Sequence, residues 1–232
     1  MQAVILAAGR GTRMRPLTDE TPKPMLRILG KPLLEYILEA AEPFVDEFII
    51  IVGYKAEAIK AYFGNQFKGI PIIYQEQKEL LGTGHAIMSA ENLIGDRFLM
   101  LNGDDYVTRG VIEKAIRYPL CIITKTVDNP SRFGIVESEN GIVTGFEEKP
   151  PKPKSRMAST NIWVMNRKLV ELMKKQPRSE RGEYEITDAL KELIKTEKVN
   201  CEAITVGWMP VGYPEDLEKL KAYIEGEKDG RA

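Results

Sequence analysis

Between Ala8 and Pro32 the chain holds Arg10, Arg13, Arg15, Lys23, Arg27 and Lys31 against only Asp19 and Glu20. That surplus of cations after a first apolar run predicts an anion site, because open α/β sheets take ligands where their strands end. Gly9 and Gly11 open the stretch, and glycine lets a backbone approach a phosphate and turn its N–H groups inward. As a bare Gly-x-Gly the pair fits a solvated loop equally well. It is not a dinucleotide fingerprint, because Met14 stands where the third glycine belongs, and no Gly-Lys-Ser/Thr follows to make a P-loop. Lys23 is set apart between Pro22 and Pro24. In Asn102-Gly103-Asp104-Asp105, Asp104 closes an apolar run; a carboxylate there projects from the sheet toward a ligand, although the same tetrad is also turn chemistry. Gln75 ends another apolar run and offers donor and acceptor together, which suits a pyrimidine edge. His85 is the single histidine, which rules out a histidine-rich zinc site and speaks against a histidine-based triad.

These residues need a frame, and the hydrophobic pattern supplies one. Residues 3–8, 48–53, 70–75 and 97–103 are short apolar runs bounded by glycine or charge and read as buried strands. Helical spacing occupies 32–42, 56–63 and 85–93. Strand and helix in alternation predict a parallel sheet with helices on both faces, and right-handed crossovers make it doubly wound α/β. The second half is richer in strands, at 121–127, 134–138, 141–148 and 159–165, so the sheet becomes mixed. Glu139-Asn140-Gly141 marks a hairpin, and the prolines of 150–154 mark an extended, exposed connector. Helices return at 168–175 and 186–195, a strand at 203–206, and a last helix from 214 to about 225. No repeat or break in composition divides the chain, so one domain over residues 1–232 is expected, large enough for a core without disulfides. Cys121 and Cys201 read as buried free thiols. A net charge of −1 argues against nucleic acid. No apolar run nears the roughly 18 residues of a membrane span, and the first charges follow the apolar run, the reverse of a secretory signal. A cytoplasmic location is expected.

Leu6-Ala7-Ala8-Gly9-Arg10-Gly11-Thr12-Arg13, followed by Pro16-Leu17-Thr18 and Pro22-Lys23-Pro24, resembles the sugar-1-phosphate nucleotidylyltransferases. The resemblance continues through Leu81-Gly82-Thr83-Gly84-His85-Ala86, Asn102 to Asp105, Glu147-Glu148-Lys149-Pro150 and Arg181 to Asp188, almost the whole chain in order. It implies a Rossmann-like nucleotidyltransferase domain. The implied reaction moves a nucleoside monophosphate from an NTP to a sugar 1-phosphate and releases pyrophosphate. No enzyme nucleophile is required: the protein must hold two anions together and offset the charge of the leaving group.

The resemblance also implies roles. Leu6, Ala8, Gly9, Gly11, Thr12, Arg13, Gln75, Gly82 and Thr83 would hold the nucleotide, with Arg13 on its β- and γ-phosphates and Gln75 and the Gly-Thr-Gly turn against the base. Lys23 would bridge the reacting phosphates, and Asp104 would carry Mg²⁺. Gly134, Glu148, Lys149, Thr160 and Asn161 would take the sugar phosphate, the lysine on phosphate and the carboxylate on hydroxyls. On its own, Glu147-Glu148-Lys149 is equally a solvated charge run. Asn161 stands where relatives often carry glycine, and Pro210 stands where Trp-x-Asp-x-Gly places a second metal-binding aspartate. Asp104 alone, with phosphate oxygens and water, suits a cation that accepts few protein ligands; Asp105 or Asp216 as a substitute, or loss of catalysis, are the other outcomes. Gly82 to His85 and Gly212-Tyr213-Pro214 lean toward UTP or dTTP and a hexose 1-phosphate. The alternatives are a cytidylyltransferase for a polyol or choline phosphate and a non-catalytic nucleotide-sugar-binding subunit. Many relatives continue into a β-helix domain, and this sequence ends where the catalytic domain should, so a stand-alone domain is expected. A homo-oligomer is compatible with the sequence.

Overall fold

The first apolar run forms β1 (Gln2–Ala7), almost wholly buried, and the sheet grows to either side of it. The computed structural model describes residues 1–179 and 181–228. Along the chain the strands of the main sheet continue as β2 (Glu47–Val52), β3 (Gln66–Phe67), β4 (Ile70–Glu76), β5 (Arg97–Asn102), β6 (Cys121–Thr126), β7 (Gly134–Glu139), β8 (Ile142–Glu148), β9 (Met157–Asn166) and β10 (Asn200–Ile204). Their spatial order is β7-β8-β10-β6-β9-β5-β1-β2-β4-β3. One half is parallel, β5, β1, β2 and β4 running together. In the other half β9 lies antiparallel to both β5 and β6.

Besides a single helical turn at Leu17–Glu20, the helices are α1 (Leu33–Ala41), α2 (Ala56–Phe63), α3 (Thr83–Ser89), α4 (Arg109–Ile116), α5 (Arg167–Met173), α6 (Ile186–Leu193) and α7 (Pro214–Lys228). Alternate residues of β1 face different layers. Ala3, Ile5 and Ala7 pack with Leu34, Ile59 and Ile112 of α1, α2 and α4, while Val4 packs with Ile87, Leu169 and Leu190 of α3, α5 and α6. Both faces are therefore covered, which is why these strands are apolar throughout rather than alternating. The doubly wound mixed sheet is the architecture that the pattern implies. A smaller cluster around Met14, Leu33, Tyr106, Val211 and Leu220 attaches α7 beside the end of the sheet.

Several boundaries differ from the expectation. Helix α3 begins at Thr83 and ends at Ser89, because the Gly84 N–H is drawn to the Tyr184 carbonyl at 2.9 Å and the chain turns again after Ala90. The strand expected at 203–206 is found at Asn200–Ile204, where its ladder with β6 lies, and Val206 is exposed. The 150–154 connector is free of helix and strand, but Pro150 is buried. The hairpin Asn140-Gly141 has both residues at positive φ, 50° and 74°, as a tight turn between right-twisted strands requires. A two-stranded ribbon of Tyr106–Val107 with Trp208–Met209 is not foreshadowed by the pattern.

Candidate active site

β1 is followed in sequence by β2 and β4 on one side, after which the chain returns to β5 on the other. The carboxyl ends of β1 and β5 thus bound a topological switch point, the crevice where open α/β sheets bind ligands. A cavity of about 510 Å³ lies there, within the size range of small-molecule sites. Leu6, Ala8, Gly9 and Arg13 form one part of its lining, and Asn102, Asp104 and Asp105 another. Gly103 explains how the two come together. A β-carbon there would stand 2.9 Å from the Leu6 carbonyl oxygen, so only glycine allows the backbone crossing in which Gly103 N–H donates to Leu6 O at 2.8 Å.

Lys23 enters from the short helical turn Lys23–Met25, whose proline-fixed backbone buries it to 7% exposure. Its Nζ lies 2.6 Å from Asp104 Oδ2, and Asp104 remains about a third exposed to the cavity. Asp105, next along, accepts from Asn102 Nδ2 at 3.1 Å and from Val211 N at 3.3 Å. Burial, reinforced by the neighbouring Asp104 charge, pushes its carboxyl up to about 6, while Lys23 and these two donors oppose the rise.

The opposite wall comes from the antiparallel half. Phe133 immediately precedes β7 and Gly134 begins it, Glu148 ends β8 beside Lys149, and Ser159 and Asn161 lie on β9. Lys149 Nζ pairs with Glu148 Oε1 at 3.1 Å. Lys149 and Asn161 both adopt positive φ, 43° and 56°, uncommon for residues with a β-carbon and concentrated at functional walls. Asn161 sits at the register break of β9 against β6. The last part of the wall is Trp208, Pro210, Val211 and Gly212, held by the ribbon to Tyr106–Val107, by Lys125 Nζ on Trp208 O at 3.2 Å and by the Asp105–Val211 bond. Burial lowers the Lys125 ammonium, whose acceptor here is this carbonyl.

The cavity thus gathers Leu6, Ala8, Gly9, Arg13, Lys23, Gly82, Thr83, Asp104, Gly134, Glu148, Lys149 and Asn161. Four other candidates do not line it. Gly11 faces the stem of Lys23 and the Thr18 methyl, and Thr12 is exposed at the start of the turn Thr12–Met14. Thr160 is buried, its hydroxyl donating to Ile123 O at 2.9 Å, because alternation along β9 turns it away from Ser159 and Asn161. Gln75 lies within β4, still paired in register with Ile51. Gln77, two residues on and past the end of the strand, lines the cavity instead; it is 5% exposed and its Nε2 donates to Gly82 O at 3.1 Å. His85 Nδ1 lies 3.2 Å from the same nitrogen, a structural contact in the first turn of α3. The Gly-Thr-Gly turn is itself clasped from outside, Tyr184 N donating to Leu81 O at 2.8 Å.

Asp216, weighed in the sequence as a second metal ligand, accepts on Oδ2 from Gly212 N and Tyr213 N, both at 2.9 Å. These donors and Lys219 hold its carboxyl below the usual range against the opposing effect of burial, the largest single influence. Asp216 therefore braces the start of α7. Among the described residues no three His, Cys, Asp or Glu side chains form a metal cage, and no helix is long and apolar enough to cross a membrane.

A doubly wound sheet with a basic loop and a carboxylate meeting at its switch point defines a nucleotide-handling α/β domain. The chain belongs to the nucleotidyl transferase family, whose model matches residues 2–227. It is 42% identical to the bifunctional protein GlmU of Methanocaldococcus jannaschii over 226 residues, which is 97% of this chain and 54% of that protein; the chain thus spans about half the length of that relative. It is 33% identical to the UTP–glucose-1-phosphate uridylyltransferase AglF of Haloferax volcanii over 241 residues, 98% of each chain. A solved structure from Bacillus anthracis, assigned as a glucose-1-phosphate thymidylyltransferase, superposes with a TM-score of 0.86 at 27% identity, covering 96% of this chain and 94% of that one.

Proposed function

We propose that this chain transfers a nucleoside monophosphate from UTP or dTTP to a hexose 1-phosphate, forming an NDP-sugar and releasing pyrophosphate. The observation that carries this reading is the Lys23–Asp104 pair, 2.6 Å apart, between a basic nucleotide wall and the Glu148–Lys149 wall. A sugar-phosphate oxygen attacks the α-phosphorus, a new P–O bond forms, and the bond to the bridging oxygen of the β-phosphate breaks. Both partners are anions, so the first task of the protein is to bring them together. Arg13 meets the β- and γ-phosphates, Lys149 the sugar phosphate, and Lys23 the phosphates between them. Glu148 and Asn161 face the sugar hydroxyls, and Gln77 takes the place beside the base. With nothing on the reaction path that demands imidazole, the single histidine is free for its structural contact.

The donor set suits a hard cation carried in with the nucleotide. Asp104 is a partly exposed carboxylate at the phosphate end of the cavity, and Mg²⁺ binds through one or two carboxylates plus phosphate oxygens and water. When bound it would neutralise charge on the phosphates. Pro210 lines the cavity without a side-chain oxygen, and Asp105 and Asp216 are engaged by backbone donors, which leaves Asp104 as the ligand. A cytoplasmic location, where nucleoside triphosphates are held, goes with this reading.

Pro210 is also the observation that favours a second reading, a non-catalytic binder of nucleotide sugars. Pyrophosphate release measured across the common NTPs and a panel of sugar 1-phosphates separates the two. Release is expected with UTP or dTTP and a hexose phosphate. No release with any pair, together with calorimetric binding of a nucleotide sugar, would overturn the catalytic reading.

A further inference from the structure

A second arginine reaches the cavity from outside the basic loop. Arg132 closes the turn Pro130–Arg132, just ahead of Phe133 and Gly134, and lines the cavity with Arg13. Both guanidinium groups lie over one ring: Arg132 is 4.6 Å and Arg13 5.4 Å from the centroid of Tyr213. They also converge on Gly212, where a β-carbon would stand 3.5 Å from Arg132 Nη2 and 4.0 Å from Arg13 Nη1. The two nitrogens are therefore no farther apart than the sum of these distances, a gap that two linked phosphoryl groups can bridge. Among the described residues neither arginine has a carboxylate within ion-pair distance, in contrast to Arg15, Arg117, Arg156 and Arg181.

Two like charges held this close repel each other. Asp216 Oδ2 lies 3.7 Å from the same point, but it is taken up by the Gly212 and Tyr213 N–H groups and outside ion-pair distance, and the electron-rich face of Tyr213 offsets only part of the repulsion. The arrangement is stabilised when an anion fills the gap. Guanidinium groups suit phosphate because each presents a planar fork of donors. Resting on the proposed transfer reaction, we propose that Arg132 is a further catalytic residue, which together with Arg13 forms a clamp on the leaving pyrophosphate. Charge grows on that group as its bond to the α-phosphorus breaks, and a preset pair of cations meets it there. Tyr213 sets the spacing of the pair. Arg132 also joins the two walls functionally, since its own segment continues directly into the Phe133–Gly134 side of the cavity.

The test uses the whole chain with its best NTP and sugar 1-phosphate, run forward and in reverse from NDP-sugar and pyrophosphate. Arg132→Ala should raise the KM for pyrophosphate roughly ten- to hundredfold, the loss of a charged hydrogen-bonding group. The KM for the sugar 1-phosphate should stay near wild type, and so should the thermal midpoint, because Arg132 is exposed. Arg132→Lys should recover part of the loss, and Tyr213→Leu should reproduce part of it. Calorimetry with tripolyphosphate gives a readout independent of turnover, weaker in Arg132→Ala. An unchanged pyrophosphate KM, or a rise confined to the sugar 1-phosphate, would overturn the clamp. Wild-type protein that binds tripolyphosphate yet turns over no substrate pair would overturn the transfer reading instead and leave an anion clamp standing.

Discussion

Lys23→Ala removes a cation whose side chain is 8% exposed and whose nitrogen stands 2.6 Å from Asp104. At that distance a unit charge in an effective dielectric of about 20 interacts by roughly 6 kcal/mol before desolvation is subtracted. Most of this is present whether or not substrate is bound, since the attraction is between two side chains of the protein itself. The part that reaches the rate is the gain when the developing charge on phosphate replaces or joins that carboxylate. Loss of a single preorganised group of this kind costs about 2.7–4 kcal/mol, a fall of 10²–10³ in kcat. Stability should move far less than the roughly 3–5 kcal/mol for breaking a fully buried pair, because about a third of Asp104 is open to water. Steady-state pyrophosphate release, with thermal unfolding on the same samples, reads both quantities. Lys23→Met keeps the aliphatic stem and should lose as much activity as alanine. A folded variant whose kcat stays within about threefold of wild type would refute the reasoning.

Three further perturbations follow from particular contacts. Gln77→Ala should weaken NTP binding about tenfold by releasing the turn at Gly82, and Gln75→Ala should leave it unchanged; equal effects in titration calorimetry would remove the distinction. Gly84→Ala would place a β-carbon 2.6 Å from the Tyr184 carbonyl oxygen and should cost about 2–3 kcal/mol in urea unfolding, whereas Gly110→Ala meets nothing within 4 Å in α4 and should be neutral or gain up to about 1 kcal/mol. Burial pushes the Cys121 thiol from 9.0 up to about 12. A raised thiol favours the folded state fully below pH 9, and that contribution is lost as pH climbs toward 12, on the order of a few kcal/mol. Cys121→Ala should therefore flatten the alkaline fall in stability; identical slopes for both proteins would count against it.

The apolar runs of β1, β2, β4 and β5 stand out in the sequence because both faces of these strands are buried, and the hairpin at Asn140-Gly141 because its backbone demands those residues. Lys23 and Asp104 are legible because a proline frame and a strand end make them conspicuous, but their contact joins positions that are 81 apart. Gln75 and Gln77 show the limit. Two glutamines two residues apart look alike until the ladder with β2 fixes where the strand stops. Thr160 is similar, since hydroxyl chemistry is visible in the sequence and the direction of the side chain is not. Arg132 carries no local signal, since the turn Pro130–Arg132 ahead of β7 brings it to the cavity, and the ribbon between Tyr106–Val107 and Trp208–Met209 that carries Trp208 there joins distant segments. The remaining clue was negative: Pro210 marks a place where a side-chain oxygen is missing.

The left-handed backbone at Asn161 constrains how this wall can change over time. A φ of 56° is open at little cost to glycine and, less freely, to asparagine and aspartate. The replacements expected at least cost here are therefore few: nothing, a neutral amide or a negative charge. Substitutions between them alter the shape and polarity of the cavity while the strand around them keeps its path. A bulky or β-branched residue would first have to rebuild the bend in β9. Position 161 is thus a point where a side chain facing the cavity can be exchanged with little disturbance to the strand that carries it.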